Sequence, residues 1–110
     1  MTKVSITHTD GHTMITAYDH ATGSSEVCSA ISCLMYTLEG WLINHESLVK
    51  NHRAVFEDGY AVVEFDAKSY EVYTILGFVI LGFMQIENTY SDYIKTKIDS
   101  EILAMVNYKN

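Results

Sequence analysis

Two side chains close together in this sequence have complementary chemistry: His20 and Cys28, within Asp19-His20-Ala21-Thr22-Gly23-Ser24-Ser25-Glu26-Val27-Cys28. An imidazole beside a thiol is a base beside a nucleophile, the pair that covalent acyl transfer requires. Spacing supports the pairing, because the residues before His20 alternate as a strand and those after Glu26 carry a helical apolar stripe. The histidine would leave a strand and the cysteine would enter a helix, joined by a small polar loop.

Placement in the first helical turn matters to a thiol. Backbone N–H groups without helical partners point out of that turn, and the helix dipole favours a thiolate there by ~0.3–1 kcal/mol. A neighbouring imidazolium adds a stronger effect, and His20 is the candidate for it. First-turn amides at Val27, Cys28 or Ser29 would receive the oxyanion of a tetrahedral intermediate. Ser32 is one turn beyond Cys28 on the same face; its hydroxyl either supports the site or bonds back to the carbonyl of residue 28. The loop Ala21, Thr22, Gly23, Ser24 and Ser25 is small enough to close over an extended peptide. Against this stands the plain alternative that a lone helical cysteine is a core residue. Cys33 is read that way: it is adjacent to Leu34 and about 140° round the helix from Cys28. The two cysteines project in different directions, which disfavours a bridge between them and fits a reducing compartment.

The elements that must position these groups follow from periodicity. Residues 2–8 alternate, with Val4 and Ile6 on one face, and Asp10-Gly11 turns the chain into a second strand from Thr13 to Asp19. Ser24 or Ser25 caps a helix from about Glu26 to Asn44, with Val27, Ile31, Leu34, Leu38, Trp41 and Leu42 as its apolar stripe. A polar connection containing His52 leads to a second hairpin, Ala54–Glu57 and Tyr60–Phe65, around Asp58-Gly59. Asp66 or Ser69 caps a second helix from about Tyr70 to Asn88, Tyr93–Ile98 adds a last strand, and the tail from Asp99 can form a short helix. The expected fold is α+β, a mostly antiparallel sheet packed with two main helices in the order β-β-α-β-β-α-β, in two layers.

The stretch resembles the signature of the ribosomal-processing cysteine proteases of the Prp family: Gly-His-Ala, a glycine-containing loop, then Asp-Ile-Val-Cys-Ala-Ala-Val-Ser. His20-Ala21, Gly23, Val27-Cys28, Ala30 and Ser32 match it, and Gly77, the run Phe78 to Ile86 and Tyr90-Ser91-Asp92-Tyr93-Ile94 follow the family's layout. Asp19 stands where the family has glycine, Ser25 and Glu26 replace its Asp-Ile, and the loop is several residues shorter. The resemblance implies a Cys28–His20 endopeptidase that removes a short N-terminal extension from a ribosomal protein or, in viruses, from a capsid or scaffold precursor. It also implies a homodimer through the helix around Ile75–Met84. A dimeric adaptor that binds a peptide in the same groove without cleaving it is the alternative, and a small-ester or amide thiol hydrolase is a third reading.

Composition narrows the partners. The chain has 110 residues, enough for a single domain, with 48% apolar residues and no proline. Seven basic against fourteen acidic residues give a net charge of −7, which disfavours nucleic acid, because phosphate binding rests on Lys/Arg clusters. Residues 1–6 lack the apolar core of a signal peptide, so a cytoplasmic protein is expected. The apolar run Ile75–Met84 falls short of the roughly 20 residues a membrane span needs and should be buried instead. His8, Asp10, His12 and His20 have no recognisable metal-ligand spacing, and neither a metal nor a cofactor is expected.

Overall fold

Asp10 and Gly11 both hold positive φ, 51° and 81°, so the chain reverses in two residues and pairs β1 (Thr2–Thr9) with β2 (His12–Tyr18) antiparallel, Ile6 opposite Ile15. The computed structural model describes residues 1–19 and 24–106. The second hairpin joins β3 (Val49–Glu57) to β4 (Tyr60–Ala67) at Asp58-Gly59, and β4 also pairs antiparallel with β2. β5 (Ile94–Ile98) lies parallel to β1, completing a five-stranded sheet in the order β3-β4-β2-β1-β5. That single parallel pair needs a crossover, which the second long helix supplies.

Strand alternation sets the layers. Val4, Ile6, Ile15, Val63 and Phe65 share one face and are almost completely buried in a core that also holds the inner faces of both helices. The opposite face carries no helix and is mostly polar, although Val62 is buried there, and on it His12 lies between Asp66 (Nδ1 to Oδ1, 2.6 Å) and Glu64 (Nε2 to Oε1, 3.0 Å). These two carboxylates raise the His12 pKa, the Asp66 hydrogen bond most of all, while burial opposes the rise.

α1 (Ser25–Asn44) buries Val27, Ile31, Met35, Leu38 and Leu42. The expected stripe holds except that Met35 occupies its centre, while Leu34 and Trp41 are only partly buried at its edges. Leu34 instead packs against Gly82, where a Cβ would come within 2.8 Å of its Cδ2; glycine at this point lets the two long helices approach. Cys33 is exposed rather than a core thiol, because the buried stripe runs along another side of the helix. Its Sγ is 4.0 Å from Thr37 Oγ1. His52 is not in a loop either. A 3-10 turn, Glu46–Leu48, returns the chain so that β3 begins at Val49, and His52 Nε2 lies 2.6 Å from Glu39 Oε1 on α1.

α2 (Tyr70–Thr89) is capped by Ser69, whose Oγ accepts the Glu71 N–H. By length and composition this helix could cross a membrane, yet Val72, Leu76, Val79, Ile80 and Phe83 are buried in the domain core. One side covers the sheet and another meets α1, while Phe78 is 75% exposed and Leu81 42%. A short α3 (Ser100–Met105) follows β5 and buries Ile102. His8 fastens it: its N–H donates to Asp99 Oδ2 (3.0 Å), Nδ1 is 2.8 Å from Glu101 Oε1, and Nε2 is 3.1 Å from Tyr73 Oη. Burial is the main cause that raises the Tyr73 pKa, with the Glu101 charge adding to it. His8 therefore faces the core and His12 the open side. Among the described residues no cluster of three or more His, Cys, Asp or Glu is placed to hold a metal.

Candidate active-site cleft

Ser24 determines where the cysteine stands. Its backbone is extended, φ −141° and ψ 100°, so α1 starts at the next residue. Its Oγ accepts the Val27 N–H (3.3 Å) and its carbonyl accepts the Cys28 N–H (3.4 Å). Cys28 is thus the fourth helical residue, and Val27 and Ile31, both buried, turn its face of the helix toward the ends of the strands. The Cys28 side chain is half-buried and lines a cleft of about 100 Å³ between α1 and the adjoining ends of β2, β3 and β4.

The amides expected to receive an oxyanion are committed elsewhere. Because Ser24 rather than Ser25 is the cap, the Val27 and Cys28 N–H groups are both taken by Ser24, and Ser29 belongs to the regular helical ladder. The first-turn amides outside that ladder are those of Ser25 and Glu26. Ser32 lines the cleft with Cys28, and its hydroxyl makes no hydrogen bond to any described residue. The expected alternative, a bond back to the carbonyl of residue 28, is not made, although Asn44 on the same helix does bond its i−4 carbonyl (Nδ2 to Gly40 O, 2.7 Å).

Asp19 enters the cleft through its backbone conformation. Its φ is +66°, in the left-handed region where L side chains are strained, and its N–H donates to Gly59 O at 3.1 Å. A glycine at this position suits that φ at no steric cost, which gives a conformational reason for the glycine that the resembled family has before its histidine. His20 and the loop residues Ala21, Thr22 and Gly23 lie outside the described residues, while Ser24 and Ser25 are the cap and first residue of α1.

Sequence reasoning did not find the rest of the cleft. Tyr36 is one further turn along the Cys28–Ser32 face and stacks on Phe56 at a centroid distance of 4.3 Å and 13° between planes. The i, i+4, i+8 spacing from Cys28 would have pointed to Tyr36. Phe56, Glu57 and Tyr60 reach the cleft only because β3 and β4 pair beside β2, which no local pattern reveals.

The family profile described as Cysteine protease Prp matches residues 1–95. Among solved structures, the chain is similar to an essential ribosomal-processing protease Prp from Staphylococcus aureus, seen with a covalently linked product peptide: 21% identity, 90% of this chain and 100% of that one, TM-score 0.72. The same S. aureus protease with a substrate peptide matches at 20% identity over the same shares, with a TM-score of 0.71. A Streptococcus mutans protein matches at 21% identity over 89% of this chain and 93% of its own, with a TM-score of 0.66. No curated protein matches the chain.

Proposed function

This chain belongs to the cysteine protease Prp family, and on that premise we propose that it is an endopeptidase with Cys28 as nucleophile and His20 as general base. The observation that carries this reading is the half-buried Cys28 in the wall of a cleft, at the cysteine of the family's motif. His20 takes the thiol proton as Sγ bonds to the scissile carbonyl carbon. It then returns a proton to the departing amine as the C–N bond breaks. Water, deprotonated by the same imidazole, hydrolyses the thioester. The unspent Ser32 hydroxyl and the Ser25 and Glu26 amides are the donors for the oxyanion.

The substrate in this proposal is a protein with a short N-terminal extension, either ribosomal or a phage structural protein. The ribosomal choice draws on the S. aureus protein, which is described as a ribosomal-processing protease and is seen with a product peptide and with a substrate peptide. No cofactor takes part, since the thiol and imidazole supply the chemistry. We further propose a homodimer in the cytoplasm through the outer face of α2, where Phe78 and Leu81 are exposed, with no role for nucleic acid or a membrane.

The test digests a proteome-derived peptide library with the native protein and with Cys28→Ala, and compares iodoacetamide labelling of Cys28 with that of the exposed Cys33 at neutral pH. The expected result is a recurrent cleavage site absent with Cys28→Ala, together with faster labelling of Cys28 that His20→Ala slows. No cleavage, with Cys28 reacting no faster than Cys33, would refute the protease reading. It would leave the peptide-binding adaptor, which the departures at Asp19, Ser25 and Glu26 favour.

A further inference from the structure

The strands that meet beneath Cys28 carry an uneven row of side chains. Register pairs Val4 with Ala17, Ala17 with Ala61, and Ala61 with Phe56, so these four lie in one row across the core face of the sheet. In the next row inward, the corresponding positions of β2 and β4 hold Ile15 and Val63, both completely buried. Two alanines therefore stand at the cleft where the row behind has branched side chains.

The missing volume is the pocket. Ala17 and Ala61 line the cleft together with Cys28, Ile31 and Met35 of α1, and Phe56 closes one side, its ring stacked on Tyr36. Protein interiors leave few voids larger than a water molecule, so a space of about 100 Å³ beside a half-buried thiol is room for a guest. Size decides which guest enters. A cavity that holds benzene measures about 150 Å³, and a water takes ~30 Å³ of liquid, so three or four heavy atoms fill this pocket and an aromatic ring overfills it. Three or four carbons are the side chain of valine or leucine. The walls around the two alanines are apolar, so a polar guest would lose its hydration without gaining a partner.

We propose that this pocket takes a valine or leucine side chain of the substrate close to the cleaved bond, and that Ala17 and Ala61 set its size limit. The proposal rests on the reading of the cleft as the peptide site, and the test reads the pocket by a reaction that needs no hydrolysis. N-Methyl, N-isobutyl and N-benzyl chloroacetamide each alkylate a thiolate, the S–C bond forming as chloride leaves. Tandem mass spectrometry gives the rate at Cys28 relative to that at the exposed Cys33 of the same molecule, which cancels the intrinsic reactivity of each reagent.

The isobutyl ratio is expected to exceed the methyl ratio about tenfold, with benzyl no higher than methyl. Ala61→Val, at a half-buried position, should bring the isobutyl ratio down to that of methyl; the series on the native protein stands by itself if that variant fails to fold. A benzyl ratio above isobutyl, a flat series, or an isobutyl advantage that folded Ala61→Val retains would overturn the proposal. Peptide cleavage by the native protein is read separately. Size selection at Cys28 without cleavage would uphold the pocket and count against the protease; cleavage with no valine or leucine near the cleaved bond would do the reverse.

Discussion

Replacing Ser24 by alanine removes the oxygen that accepts the Val27 N–H at 3.3 Å at the start of α1. N-cap serines replaced by alanine cost ~0.5–2 kcal/mol, and the position within that range depends on whether the orphaned N–H can reach water. Val27 is fully buried and Ser24 is 7% exposed, so rehydration is poor and the cost should fall in the upper half, about 1–2 kcal/mol. For a domain of this size that corresponds to a fall in Tm of roughly 4–8 °C. Ser24→Asp keeps an acceptor and adds a negative charge at the helix N-terminus, so it should hold stability within about 0.5 kcal/mol of the native protein. Urea titrations of the three proteins give the free energies. The Cys28 N–H bonds the Ser24 carbonyl, so fraying of this turn should also be visible as faster exchange of the Val27 and Cys28 amides in the alanine variant. Equal stability of Ser24→Ala and Ser24→Asp would refute the argument, because the side-chain acceptor would then contribute nothing to the turn that carries the cysteine.

Asp19→Gly should be neutral or stabilising by up to about 1 kcal/mol, while Asp19→Val should cost about 1–2 kcal/mol, because only the glycine relieves the φ of +66°; thermal denaturation of the pair checks this. The Thr13 hydroxyl is buried without a partner among the described residues, so Thr13→Val should raise stability by about 1 kcal/mol in urea titration, and a loss would refute the account of that site. His12 is held above its ordinary 6.5 by Asp66 and Glu64, so its contribution is present in full below that value and is lost as pH rises through the raised one. Glu64 and Asp66 are both lowered, from 4.5 and 3.8: the His12 bond is the first cause for Glu64, and the Asn51 bond followed by His12 for Asp66. Their contribution is present above those values and is lost in acid. Stability should therefore peak between about pH 5 and 6.5, and His12→Gln should flatten the alkaline limb of the urea-midpoint profile. If the proposed dimer forms through the outer face of α2, Phe78→Asp should give a monomer in sedimentation equilibrium without changing the urea midpoint of the monomer, since Phe78 is 75% exposed.

The sequence by itself determined most of the local structure. The Asp10-Gly11 turn, the alternation of Val4 and Ile6 and of Val63 and Phe65, and the long apolar stripes of α1 and α2 are consequences of neighbours in the chain, with periods that betray the element. The same local logic brought Cys28 to the start of a helix and Ser32 one turn behind it. Tertiary packing decided what local pattern could not express. Val49, Lys50 and Arg53 extend β3 because β4 runs on to Ala67 and offers them Ala67, Asp66 and Glu64 as partners, with the register shifting across Asn51 and His52 between them. Cys33 and Met35 are both plausible core residues by composition, and the approach of α1 to the sheet buried one and exposed the other. The cleft beside Cys28 arises the same way. Asp19 and Cys28 lie far in sequence from the Phe56–Tyr60 hairpin, and they meet it only because β4 sits between β2 and β3 at one end of the sheet. A sequence shows which side chains have chemistry to offer. Which of them share a cleft depends on strand order, set by burial summed over the whole domain rather than by any stretch of it.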